Sequence, residues 1–432
     1  GYEITEFPFF TFLFADLHAH LIAIPFSLLA LGLCLNIFVR VAQPPSRWIG
    51  TLVSLVVLGL VIGALRIINA WDYPTSLAIA ATVILGSELV MGRTDRGISM
   101  RLFSVVAKGL LVAAVGYLVF FPFHTRFELF NNGIEHSQFR TPLWRFIVVH
   151  SLFIFTIVSY LMYEAQRTLK TLFQGSSLRI YRGGVRKISL RIDILLFSLI
   201  LPAAALLAFA LMGYGTVAFN IFLVASISVL VALVLYKKER DGIFIVFVAL
   251  MAVVALVLTA GVDLITVKGD IGRMNTVFKF YLQAWILLGI VSSFMVWRLW
   301  SLGFFSLDRM SMVKALWLGS FAVLLVSVMV YPVLGSRARL ADRFETGGLG
   351  LDGMAFMDKV TYSDEQGPLE LRHDVQAIRW LQNNVVGSPV ILEGLTNLYR
   401  WGNRISIYTG LPTVIGWDWH QRQQRAAYER TV

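Results

Sequence analysis

Asp16, His18 and His20 fall at a spacing of two inside FPFFTFLFADLHAHLIAIPF, between strongly apolar flanks. On an extended backbone, residues two apart project to the same side, so these three side chains would converge on one ligand. On a helix, Asp16 and His20 share a face and His18 points away. The functional reading is an acidic and imidazole site at a membrane surface. A divalent-metal site from Asp16, His18 and His20, with Asp16 and His20 as its first ligands, is a side reading, and imidazole suits zinc or manganese better than magnesium. Ionisable groups at the edge of a hydrophobic run are costly to place there unless paired or used. A solvated loop that happens to carry two histidines is the plain alternative.

Two further constellations carry chemistry. In RIINAWDYPT, Asn69, Trp71, Asp72, Tyr73 and Pro74 stand at the entrance of a third apolar run. Trp71 and Tyr73 read either as interfacial anchors or as rings that stack on a sugar. Asp72 reads either as a helix N-terminal dipole partner or as a substrate contact. In DIGRMNTVFKFY, Arg273 and Lys279 flank Asn275 and Thr276, and Arg66, the outermost charge of the second span, is a further candidate for the same cluster. Two cations beside amide and hydroxyl donors suit a phosphate or pyrophosphate, although cations at the start of a span also snorkel. The stretch VILEGLTNLYRWGNRISIYTGLPTVIGWDWHQRQQR is turn-rich and aromatic, and it reads either as a lid over such a site or as ordinary α/β loops. No phosphate-binding glycine loop, dinucleotide fingerprint or serine-nucleophile elbow occurs.

The elements that must position these residues are membrane spans. The 432 residues are 57% hydrophobic and only 15% charged, with a mean hydropathy of +0.73; average chains carry roughly 25% charged residues. Apolar runs long enough to cross a bilayer recur along the chain. We read ten: about 21–39, 48–65, 76–92, 102–121, 143–163, 194–212, 217–236, 243–260, 281–297 and 315–333. The expected fold is mainly α, a polytopic transmembrane helical bundle over residues 1–334, followed by a small α/β domain over 335–432. In that domain DVQAIRWLQNN reads as a helix with Asp374 as its N-cap, and SPVILEG and RISIYTG read as strands. Its second half and the segment before Gly1 are expected to be missing from this chain. Cys34 is the single cysteine, which excludes disulfides and thiolate metal sites.

Charge sets the expected orientation. One set of loops holds 19 basic and seven acidic residues, a net of +12, including seven basic and no acidic residues from Arg167 to Arg191. The remainder of the chain holds 18 basic and 19 acidic residues. By the positive-inside rule the basic loops are cytoplasmic, and residues 335–432 lie on the extracytoplasmic face with all the candidate site residues. The net charge of +11 is then a topology signal that points to anionic lipid headgroups and not to nucleic acid.

The motifs FPFFTFLFADLHAHLIAIPF, INAWDYPT, GRMNTVFKFYLQAW and ISIYTGLPTVIGW resemble signatures of the YYY family of integral membrane proteins. That family is largely uncharacterised and is placed by remote similarity among multi-span glycosyltransferases of the GT-C type. The resemblance implies a cell-membrane enzyme that takes a sugar from a polyprenyl-phosphate donor on the extracytoplasmic side. It also implies a catalytic acidic residue in an outer loop near the N-terminus, which Asp16 matches. GT-C enzymes place that loop after their first helix, and the sequence shows none before Asp16. Two other readings stand beside this one. One is a non-catalytic subunit whose apolar faces contact partner subunits in a larger membrane assembly. The other is a transporter, against which the sequence offers few mid-membrane charges and no inverted repeat.

Overall fold

The computed structural model describes the chain except for residues 1–6, 16, 42–47, 90–96, 128–132, 176–203, 205, 238–240, 269–272, 306–310, 344–349, 366, 395, 415 and 420–432. A backbone inside a bilayer must satisfy its own N–H and C=O groups, so the long apolar runs fold as helices. In chain order these are α1 (Pro8–Phe14), α2 (Ala19–Arg40), α3 (Trp48–Ile68), α4 (Asp72–Leu89), α5 (Ile98–Leu118), α6 (Phe121–His124), α7 (Leu143–Val149), α8 (Ser151–Gly175), α9 (Gly215–Lys237), α10 (Gly242–Gly261), α11 (Arg273–Ser301), α12 (Met312–Arg343), α13 (Leu371–Asn384) and α14 (Arg404–Thr409). Strands β1 (Ile134–His136) and β2 (Ile265–Val267) pair antiparallel, as do β3 (Thr361–Asp364) and β4 (Gly367–Glu370).

Among the described residues, seven helices are long and apolar enough to cross a membrane, or eight if α7 and α8 count as one span broken by an 87° bend. The fifth expected span is therefore not straight: the chain turns at His150, whose φ of −106° and ψ of 16° leave the helical region. The third expected span is the helix α4, but Asp72 and Glu88 near its ends lower its hydropathy, and it is not among the seven. The sixth expected span lies mostly outside the described residues. A short helix, α1, also precedes Asp16, where the sequence reading had none; at seven residues it cannot span a bilayer.

The chain divides into two compact units, Gly1–Phe127 with Gly133–Pro332, and Glu128–Asn132 with Val333–Val432. In the first, α10 is the most enclosed helix: Ala252 and Ala255 are fully buried, and α9 and α11 pack against it. Helices α2, α3, α4 and α5 pack on one another, and α2 and α4 also meet α10, where the Phe38 and Phe247 rings lie 5.7 Å apart. Polar residues tie helices together inside the apolar core. Asn36 donates to Ser54 at 2.9 Å, Thr156 to Ser292 at 2.8 Å and Asn220 to Thr259 at 3.0 Å. At the far end of α4, Glu88 pairs with Lys108, and Arg101 donates to the helix-terminal carbonyls of Glu88 and Leu89. Such a cation satisfies orphan carbonyls and complements the helix dipole.

Glycines set the closest helix approach. Gly59 and Gly63 are one turn apart on α3 and face α5; a Cβ on Gly63 would lie 2.6 Å from the Gly116 carbonyl oxygen, and one on Gly59 would lie 2.8 Å from that of Val112. This is the small-residue packing that membrane helices use where no water drives them together. Gly63→Val should therefore destabilise the purified protein by about 1–3 kcal/mol through overpacking against backbone. Thermal unfolding in detergent measures it, and an unchanged melting temperature would contradict the α3–α5 contact.

The second unit corrects two strand expectations. RISIYTG is not a strand but forms α14, bounded by Asn403 and Gly410, both in the left-handed region with φ of 59° and 74°. The Glu393 carboxylate accepts the backbone N–H groups of Ile405 and Ser406, so it caps the helix in place of a sheet ladder. Ile405 and Tyr408, three apart, then pack on the α13 core of Leu371, Val375 and Ile378. SPVILEG contributes a single parallel bridge, Ile391 to Thr413. Helix α13 starts at Leu371 with Glu370 as its N-cap residue, so Asp374 sits in the first turn. There it accepts from Trp401 Nε1 at 2.9 Å and pairs with Arg404 at 2.8 Å.

Candidate functional site

The site grows from the starts of α2, α4 and α11, which lie at the same end of the bundle. His18 is the extended N-cap residue of α2, and His20 occupies the first turn. His18 is exposed and His20 is buried, with ring centroids 4.9 Å apart. After α3, the chain turns in four residues: the Asp72 N–H donates to the Asn69 carbonyl at 3.0 Å, and the Asn69 side-chain amide donates to the Asp72 carboxylate. Both side chains are buried.

Helix α11 supplies the third side, and its period explains which residues meet. Six residues advance an α-helix by about 600°, so Arg273 and Lys279 point roughly 120° apart. Lys279 Nζ lies 3.4 Å from His20 Nδ1 and 4.3 Å from the centre of the Phe278 ring. It also attracts the Asp72 carboxylate electrostatically. One turn on, Gln283 Nε2 donates to the Trp71 carbonyl at 3.1 Å, and the Trp71 ring packs edge-on against Phe280 at 5.7 Å. Arg66 stacks over Tyr73 at 5.2 Å, and Asn275 is half-buried in the first turn of α11. His20, Asp72, Lys279 and Trp71 thus come together from three segments separated by up to 259 residues.

Arg273 takes a different partner. Its guanidinium donates to Asp263 at 2.6 Å and to Thr141 at 2.7 Å. Asp263 also accepts the Thr141 N–H at 3.0 Å and hydroxyl at 2.7 Å. Burial pushes the Asp263 carboxyl above its ordinary range, while the hydrogen bonds from Thr141 and Arg273 pull the other way. The network joins the loop after β1 to the start of α11, beside the β1–β2 pairing. On the same side, Tyr214 contacts His136 at 3.2 Å and carries Arg140 over its ring at 3.7 Å. The two cations that spacing alone offered to one phosphate are therefore splayed, Lys279 toward His20 and Arg273 toward Asp263.

Asp16 lies outside the described residues, and with it the proposed Asp16–His20 metal pair. Among the described residues, no three His, Cys, Asp or Glu side chains gather as metal ligands. The sequence reading did not single out Asp263, Thr141 or Gln283. Gln283 carried a signal, since an amide inside the apolar run YLQAWILL must find partners.

The model of one family, uncharacterised membrane proteins designated DUF2298, matches residues 1–288. The chain belongs to this family. The match covers α1 through the first half of α11 and hence every residue of the candidate site, while residues 333–432 lie beyond it. No curated protein and no solved structure matches the chain. This DUF2298 protein is a multi-pass membrane protein, and its membrane-spanning unit carries the site.

Proposed function

We propose that this protein is a membrane glycosyltransferase of the GT-C type, which transfers a sugar from a polyprenyl-phosphate donor on the extracytoplasmic side. The observation that carries the reading is the convergence of His20, Asp72 and Lys279 at one end of an apolar bundle. A cation held there in dry surroundings stabilises charge that develops on a phosphate leaving group. In this reading Lys279 receives the lipid phosphate and Asn275 adds an amide donor. Arg273 serves the site by fixing the start of α11 through Asp263. Asp16, four residues before His20, deprotonates the acceptor hydroxyl, or holds a divalent metal together with His20, and His18 lines the approach. Trp71 and Tyr73 stack against the sugar, with Arg66 holding Tyr73.

The test is sugar transfer by the full-length protein, reconstituted in vesicles with a polyprenyl-phosphate sugar and a hydroxyl acceptor. Release of polyprenyl phosphate coupled to transfer is the expected result. The absence of transfer, together with no effect of polyprenyl phosphate on thermal unfolding, would overturn the reading. Sidedness has its own test. With Cys34 buried as the single native thiol, Ser363→Cys should react with a membrane-impermeant thiol reagent added outside cells, and Ser176→Cys only after permeabilisation. The reverse pattern would put the site on the cytoplasmic face.

A second reading, a subunit of a larger membrane assembly, is favoured by α12. Its spanning window has a hydropathy of 2.1 with none of it buried, and α5 is only 6% buried. Such surfaces suit lipid or partner helices, and in that case the transfer assay stays silent whatever Asp16 becomes.

A further inference from the structure

Between α2, α4 and α11 lies a pocket of about 30 Å³. Its polar lining is Ser27, Asp72, Thr75, Ser76 and Gln283, and the rest is aliphatic. Three of these residues carry a buried oxygen with no hydrogen-bond partner among the described residues: Ser27 Oγ, Thr75 Oγ1 and Gln283 Oε1. Thr75 and Gln283 are 5% and 6% exposed. Orphaned buried oxygens are costly and rare, and three around one small pocket call for an occupant. The Gln283 amide cannot flip to relieve its oxygen, because Nε2 is committed to the Trp71 carbonyl and exchange would set two carbonyl oxygens face to face. Asp72 is 7% exposed and accepts from Asn69, but among the described residues no cation stands within ion-pair distance of it. Lys279 acts on it only from further off.

We propose that this pocket binds a single dehydrated Na⁺, held by the Asp72 carboxylate, the Ser27 and Thr75 hydroxyls and the Gln283 amide oxygen. A buried charge must be paired or coordinated. The donors are all oxygen, which selects a hard cation over a transition metal. One carboxylate matches one positive charge; Ca²⁺ sites recruit more ligands and carboxylates, and Mg²⁺ keeps waters for which the pocket has no room. A water molecule beside a protonated Asp72 carboxyl fills the same space, and it is the outcome that the salt comparison below tells apart. The ion pins the helices that carry His20 and Lys279, and the inference stands apart from the transferase reading.

The test compares thermal unfolding of the purified protein in NaCl and in choline chloride at equal ionic strength, with ²²Na⁺ binding measured in parallel. Na⁺ should raise the melting temperature saturably, because a ligand that binds only the folded state stabilises it by mass action. The shift and the ²²Na⁺ binding should disappear in Asp72→Asn and in the isosteric Thr75→Val, which decides the matter should the first variant not fold. Equal melting temperatures in the two salts, as a water-filled pocket would give, overturn the proposal. So does a Na⁺ shift that survives Thr75→Val.

Discussion

Asp263→Ala should destabilise the protein by about 3–5 kcal/mol, the cost of removing the carboxylate from a buried ion pair. The Asp263 and Arg273 side chains are 1% and 7% exposed, so water cannot replace the lost carboxylate. Thr141 loses its acceptor at the same time, which frees the loop after β1. Equilibrium unfolding in detergent reads the effect. A double replacement, Asp263→Leu with Arg273→Met, removes both charges and should recover most of the loss, since apolar substitutes for buried ion pairs are often neutral or better. If Asp263→Ala unfolds at the wild-type midpoint, the pair is not a structural tie, and the anion-holding role that spacing offered Arg273 stands again. The prediction therefore separates the two roles that spacing alone left open for Arg273.

Asp16→Asn should lower sugar transfer by roughly 10²–10⁴-fold, as expected on losing a general base. The two side chains have nearly the same shape, so insertion and thermal stability should match the wild type. Loss of transfer with an unchanged melting temperature supports chemistry at Asp16. Full transfer in Asp16→Asn removes the residue from the mechanism, while loss of both says that its role is in folding.

The helical bundle was legible because apolar length is a direct physical signal: nine of the ten expected spans correspond to described helices, one of them broken at His150. Lys279 and His20 were legible as polar residues beside apolar runs. Their meeting was not, because it depends on helix rotation and packing, which residue types do not encode locally. Arg273 shows the limit clearly. Its type and its distance from Lys279 along the chain suggested one anion site, yet helical phase sends it to Asp263, ten residues earlier in sequence. RISIYTG failed for a related reason: its β-branched residues favour a strand, but a carboxylate from Glu393 and left-handed residues at both ends impose a helical turn. The GLVIG pattern of α3 was there to be read, and only the facing Gly116 shows what it packs against.

The β1–β2 pairing also imposes an order in time. Ile134 finds its partner in Val267, 133 residues later, and the Lys268 N–H closes the pairing on the Gly133 carbonyl. At roughly 5–20 residues per second of synthesis, β1 waits on the order of 7–27 s for β2 to be made. Helices α2 to α5 pack mainly on one another and have no such wait. During that interval the segment around Gly133–Thr141 lacks both its strand partner and Asp263, so it is open to proteolysis or to capture by an insertion factor.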